Sequence, residues 1–405
     1  MSTQNLLLCA LAILSAPGSL SAAGVATATS AAGTFAARPV SEEYYRVLPA
    51  NAELKAGDTL TTLPGASLTS SNGAVTLRCL ADYDDRSDIP ILESAFVLNE
   101  SKDADLDVTL ERGRIEVANA KASGKSTVIV RCAGEIWSIA LDTPGTRVAI
   151  ELSGRWPAGT RFKAGDVTPV LIASLWVLQG TADVKVGGQT LALAAKHHIL
   201  WDSEAGPRPP ELAAKLPDWA TAAKPNAAAL EAYRAVRAED PARAIAGFAA
   251  SDDAIRQRIA LVALGANDDV RHLLQYLGEP RNAEDWNFGP SVLRHWLGRG
   301  AGQEKKLYDI LMANNAFTEA QARIVIQLLF GFNAEDLKQP ETFEVLIDYL
   351  LHEKPAIRAL AAWHLARLVP KEKAVPYKRN ATPAEREQMR DAWKKVIPDG
   401  QLPPQ

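Results

Sequence analysis

Histidine, cysteine and long apolar runs are all scarce in this chain of 405 residues, and each scarcity closes off a class of function. The six histidines are dispersed, so no cluster has the spacing of zinc ligands. His197 and His198 adjoin, but on a strand they would face opposite sides and could not hold one ion together. The three cysteines, Cys9, Cys79 and Cys132, stand far apart without a local partner, which argues against a redox pair or a paired thiol nucleophile. Positive charge is not in excess: 44 lysines and arginines against 48 aspartates and glutamates leave a net charge of -4. Nucleic acid is therefore not an expected partner, since that binding needs surplus cations to displace counterions. No apolar stretch reaches the roughly 20 residues of a spanning helix, so no stable membrane span is predicted.

The longest apolar run, Leu6 to Ala16, is followed by Pro17, Gly18 and a stretch rich in alanine, serine and threonine. That is the outline of a secretory signal, with Ser21-Ala22-Ala23 or Ala26-Thr27-Ala28 as small residues for cleavage. The segment before the run has no lysine or arginine, and Leu6-Leu7-Leu8 ahead of Cys9 does not suit lipidation. The expectation is a signal over residues 1–28, a flexible segment over 29–49, and export to the periplasm or cell envelope. Removing the signal would leave Cys79 and Cys132 where disulfides persist. Each lies in an alternating segment, so the two either pair or fill core volume as buried thiols.

From residue 50 to 205 short runs of period-two alternation are bounded by glycine, proline, asparagine and aspartate, as in antiparallel strands with one buried face. In Leu106–Ile115, Leu106, Val108 and Leu110 would point inward while Asp105, Asp107 and Thr109 meet water, and Gly113 breaks the run as a bulge or turn would. Gly187-Gly188 between two such runs predicts a hairpin, because a two-residue turn needs positive φ. Many short strands at this spacing predict a β-sandwich or open barrel. The order of Leu63-Pro64-Gly65-Ala66-Ser67-Leu68, Leu106–Ile115, Leu141–Val148 and Leu175–Val184 resembles the FecR-like domain of bacterial envelope regulators. This resemblance spans about two fifths of the chain and implies an envelope location and a part in signalling or assembly through protein contacts. Iron-transport regulators of that family also carry a sigma-factor-binding segment and a transmembrane helix, for which there is no room before Leu54.

Residues 206–228 are rich in proline and then alanine, which predicts a linker. Beyond it, over 229–400, the period becomes helical. Helices are expected at Asp253–Leu264, Asp269–Leu277, Gln303–Met312, Glu319–Phe330, Phe343–Leu351 and Pro355–Leu368, with a last one at Thr382–Val396. The paired helices, with Pro355-Ala356-Ile357-Arg358 opening one of them, resemble HEAT or armadillo repeats, in which neighbours bury a shared core. The chain is thus multidomain, a β-rich part followed by an all-α part that is either a solenoid or a compact bundle.

Fragments that imitate catalytic and cofactor motifs fail on context. Ser123-Gly124-Lys125-Ser126 lacks the first glycine of a phosphate loop, where Asn119 stands, and is followed by a strand. Asp103, Asp105 and Asp107 have calcium-loop spacing, but Val108 replaces the turn glycine and Arg114 the bidentate glutamate. The acidic run Asp82, Asp84, Asp85 and Asp88 reads as a solvated turn sooner than a weak calcium loop. No catalytic, cofactor-binding or metal residue is assigned. Of nine tryptophans, Trp156 and Trp201 are the candidates for stacking on a ligand such as a sugar. The leading reading is a non-enzymatic envelope protein whose β domain and helical repeat face an unidentified envelope protein partner. A carbohydrate-binding or carbohydrate-degrading protein is the alternative.

Overall fold

A computed structural model of the chain describes residues 24–42, 45–80, 93–162, 168–220, 245–248, 251, 253–266, 268–278, 288–313, 316–378 and 380–404. A large β region comes first and a helical region follows, as the change of period predicts. The alternation around Leu106 yields the longest strand, β9 (Leu106–Asn119). Gly113 interrupts that run without ending the strand. Its φ of 103° bends β9 so that the first half pairs in one sheet and the second half in another. A Cβ there would lie 2.5 Å from the Cα of Ser94, so the crossing also needs glycine for space.

One sheet runs in the order β4 (Glu53–Lys55), β1 (Gly24–Ala28), β6 (Ser67–Ser70), β7 (Val75–Cys79), the end of β9, β12 (Arg147–Arg155), β13 (Val170–Gln179) and β16 (His197–Asp202). The other runs β3 (Arg46–Val47), β2 (Phe35–Arg38), β5 (Thr59–Thr62), β8 (Ser94–Asn99), the start of β9, β10 (Ser126–Cys132), β11 (Glu135–Leu141), β14 (Thr181–Val186) and β15 (Gln189–Ala194). Among the described residues every pairing is antiparallel except that of β9 with β10. Inward residues of both sheets, among them Leu77, Phe96, Val108, Ile115, Val130, Trp137, Ile150 and Leu175, form one buried cluster. Each such side chain contributes about 1.5–3 kcal/mol through burial, which fixes the register because a one-residue slip would expose them all. The predicted Gly187-Gly188 hairpin joins β14 to β15, with both glycines at positive φ.

Three expectations need correction. The segment 29–49 holds β2 and β3, and Ala26 and Ala28 of β1 are buried in the core. Cleavage after Ala28 would therefore delete a paired strand, whereas cleavage after Ala23 would spare it. Residues 1–23, with the apolar run and Cys9, lie outside the described residues. The predicted linker also begins within the β region: β17 (Gly206–Pro207) and β18 (Glu211–Leu212) pair with β16, and Trp219 lies against the buried Arg114 guanidinium at 4.8 Å. Asp107 does not face water but is 3% exposed, with Arg131 donating to both its oxygens at 3.0 and 2.8 Å.

Seven helices fall close to their predicted spans, α1 (Ala254–Ala266), α2 (Val270–Gly278), α4 (Gln303–Met312), α5 (Glu319–Phe330), α6 (Pro340–Tyr349), α7 (Pro355–Leu368) and α8 (Pro383–Val396), while α3 (Phe288–Leu297) forms where no span was predicted. Thr382 caps α8 with Glu385 answering at the third position, and Pro383 and Pro355 occupy first turns where a missing N–H costs nothing. Helix α7 carries no polar stripe; it is buried along most of its length and packs against α2, α5 and α6. Contact between helices so far apart in order fits the compact bundle better than a stack in which each repeat meets only its neighbours. Among the described residues no helix is long and apolar enough to cross a membrane.

Candidate functional site at the junction of the two regions

The β and helical regions meet over a buried seam. Strand β12 leads into Trp156, whose indole N–H donates to the Leu297 carbonyl at 3.0 Å and whose ring lies 4.7 Å from that of Phe330. Phe162 stacks on Tyr308 at 5.3 Å, and Leu63, Trp156 and Phe162 belong to the helical core cluster. Gly154 of β12 and Gly298, just past α3, approach backbone to backbone, so that a Cβ on either would overlap the other's carbonyl oxygen. The Gly159 amide donates to the Gly331 carbonyl at 3.0 Å. Buried Glu93 accepts from Arg112 at 2.8 Å and meets Arg299 of the helical region at 3.4 Å.

Beside this seam lies a cavity of about 380 Å³. Gly154, Arg155 and Ala158 form its β side; Ser291, Arg294 and His295 come from α3, and Trp363, His364, Arg367 and Leu368 from α7. Gly331, Phe332 and Leu337 complete it, and no acidic side chain lines it among the described residues. The Arg294 and Arg367 guanidinium groups lie 5.3 and 4.9 Å from the centre of the Trp363 ring, within cation–π range. Burial pushes the Arg294 guanidinium down to about 10, helped by repulsion from Arg367 and Arg155. Arg155, Arg294 and Arg367 thus line one cleft.

Both histidines of the cleft are held neutral. Burial is the main cause for His364, pushed down to about 4 despite a Nε2–H bond donated to the Leu328 carbonyl at 2.6 Å; Arg294 and Arg367 add to the effect. His295 is 9% exposed and is driven well below the usual histidine range by burial, then by Arg299, Arg112 and Arg114. Neither of its ring nitrogens has a hydrogen-bond partner among the described residues. A buried polar atom left so costs about 1–3 kcal/mol, which a fold tolerates where a ligand or water later meets it. The neighbouring cleft over Arg38, Glu111, Arg112, Asp268 and Arg299 differs, because acids and bases there are mixed.

The residues singled out from sequence are elsewhere. Trp156 and Trp201 are each 5% exposed, one in the helical core and one in the β core, so neither ring offers a face to a ligand. Cys79 and Cys132 are free, buried thiols on different sheets, and the pairing held open from sequence is not formed. Burial pushes each thiol up to about 12, which leaves almost no thiolate near neutrality. Ellman's reagent at pH 8 is accordingly expected to label neither until the chain is unfolded; rapid labelling of the native protein would contradict their placement. His198 stacks on Trp176 at 4.1 Å, and no cluster of three metal-ligating side chains exists among the described residues. The run Asp82 to Asp88 lies outside the described residues.

Sequence reading missed the arginines. Arg294-His295-Trp296 and Trp363-His364 were visible as twin histidine–tryptophan pairs on apolar helices, but such pairs are ordinarily core packing. Their convergence with Arg155 is tertiary and leaves no local trace. No protein-family model matches this chain, and no curated protein matches it either.

Proposed function

We propose that the chain is a non-enzymatic protein of the cell envelope, in which a FecR-like β domain and a HEAT- or armadillo-like helical region, closed here into a bundle, act together in signalling or assembly through a protein partner. The junction cleft is the recognition site. The observation that carries this reading is the arginine-lined wall without a carboxylate, assembled only where the two regions dock. A non-catalytic role is supported by the same wall: glycoside hydrolysis needs two facing carboxylates, and a histidine at about 4 is poorly matched to general-base work near neutrality. The carbohydrate reading loses its stacking rings with Trp156 and Trp201 buried. Proximity labelling from the full-length protein in its native envelope is expected to return a reproducible extracytoplasmic partner, and its absence would count against the proposal.

A further inference from the structure

We infer that the seam between the two regions is a joint that acid opens, with His295 of α3 as the group whose protonation drives the β and helical regions apart. No ligand enters into this opening, which follows from how the seam is built.

His295 sits where α3 packs on β12. Three residues on, Gly298 meets Gly154 backbone to backbone, so the two regions touch directly at this end of the helix. The imidazole is 9% exposed, and neither ring nitrogen has a hydrogen-bond partner among the described residues. Such a site holds a neutral ring and rejects an imidazolium, which would shed its water without gaining a partner. Burial, then repulsion from Arg299 on the helical side and from Arg112 and Arg114 of β9 across the seam, hold the ring well below the usual histidine range. The carboxylates of this cluster are engaged. Glu93 accepts from Arg112 at 2.8 and 3.0 Å and meets Arg299 at 3.4 Å, and Glu151 pairs with Arg114. Asp268 accepts from the Trp296 indole at 2.7 Å and meets Arg299 at 3.7 Å. Beside the ring, Arg155, Arg294, His364 and Arg367 line the cleft. On the other helices packed on α3, Glu304 of α4 is buried, Arg271 and His272 of α2 are exposed, and Arg258 of α1 and Arg323 of α5 lie over the rings of Phe288 and Phe162.

Two of the three arginines that repel the ring stand on the far side of the joint. Parting the regions takes Arg112 and Arg114 away from it and admits water, whereas a shift inside the helical region leaves both in place. Above pH 6.5 the ring is neutral in either arrangement and the seam stays closed. Below pH 6.5 the parted form takes up a proton that the docked form excludes, so each step down in pH favours parting. One such ring multiplies the opening equilibrium by up to about 25-fold between pH 7 and pH 5.

Hydrogen exchange of the full chain, read by mass spectrometry at pH 7 and pH 5 and corrected for the pH dependence of the chemical step, tests this. The reporter is the Gly159 amide, which donates across the joint to the Gly331 carbonyl at 3.0 Å. Its peptide is expected to lose protection about tenfold or more at pH 5, while peptides of β10 and β11, inside the β core, keep theirs. His295→Phe keeps a flat ring without a titrating nitrogen and should remove that loss. His295→Gln asks the same with a smaller side chain, in case the phenyl ring disturbs the packing. His364→Gln removes the other buried imidazole of the cleft and should leave the pH response in place. Unchanged Gly159 protection at pH 5 in the wild type would overturn the inference. So would a response that survives both His295 variants or vanishes in His364→Gln. Equal loss in the β10 and β11 peptides would overturn it as well, because acid would then be unfolding the chain and not parting its regions.

Discussion

Gly298→Ala is expected to destabilise the chain by about 3 kcal/mol and to uncouple its two regions, whereas Gly300→Ala, two residues on, should be close to neutral. The contrast follows from what each new methyl would meet. At Gly298 the Cβ overlaps the Gly154 carbonyl, and backbone facing backbone cannot swing aside as a side chain can. Overpacking in a fitted contact costs about 1–3 kcal/mol and more where nothing yields. At Gly300 no heavy atom lies within 4 Å and the backbone is not left-handed, so only local conformational entropy changes. Opening the seam would also take the Trp156 indole away from the Leu297 carbonyl and expose the rings of Phe162 and Phe330. Urea unfolding should show one transition in the wild type and two in Gly298→Ala. A single unshifted transition in the variant would mean that the glycine contact holds nothing together.

Acid should weaken the protein well before its carboxylates protonate. His364 is held at about 4 in the fold against 6.5 for an ordinary histidine, so below pH 6.5 the unfolded chain takes up a proton that the native chain refuses. The stabilisation is fully present above pH 6.5 and is lost as pH falls toward 4. At 1.36 kcal/mol per unit this amounts to about 2 kcal/mol from His364 between pH 7 and pH 5. Buried His295, shifted in the same direction, adds a loss of the same sign over the same window. Asp142, bonded by Lys125, and Glu385, bonded by the Thr382 amide, are held below the carboxylate range, and their contributions fade only below their unfolded values of 3.8 and 4.5. The histidines therefore dominate between pH 6.5 and 5. Urea midpoints should fall over that interval in the wild type and fall less in His364→Gln, which keeps a donor for the Leu328 carbonyl without a titrating ring. Equal slopes in the two proteins would place the acid sensitivity elsewhere.

The elements were legible in the sequence to different depths. Helices were well marked because capping is local: Thr382, Pro383 and Glu385 announce α8 without reference to the rest of the chain. Strands were legible as alternation, but their partners were not, since a pairing such as that of β1 with β4 and β6 joins segments far apart in sequence. Gly113 shows the limit of a local rule, for a glycine that reads as a bulge or turn is the hinge on which β9 changes sheets. Asp107 shows another, because alternation assigned it to water and Arg131, on β10, brought it inside. The cleft was the least legible feature. Arg155 ends a strand, Arg294 lies in α3 and Arg367 in α7; separately each reads as an ordinary surface cation, and only the docking of the two regions sets them around one space.

The junction cleft is tested most directly by repeating the envelope labelling with an Arg155→Gln/Arg367→Gln chain, matched to wild type in abundance and urea midpoint. The expected result is loss of the extracytoplasmic partners that the wild type labels, with the fold intact. An unchanged partner set from that folded variant would contradict recognition at this cleft.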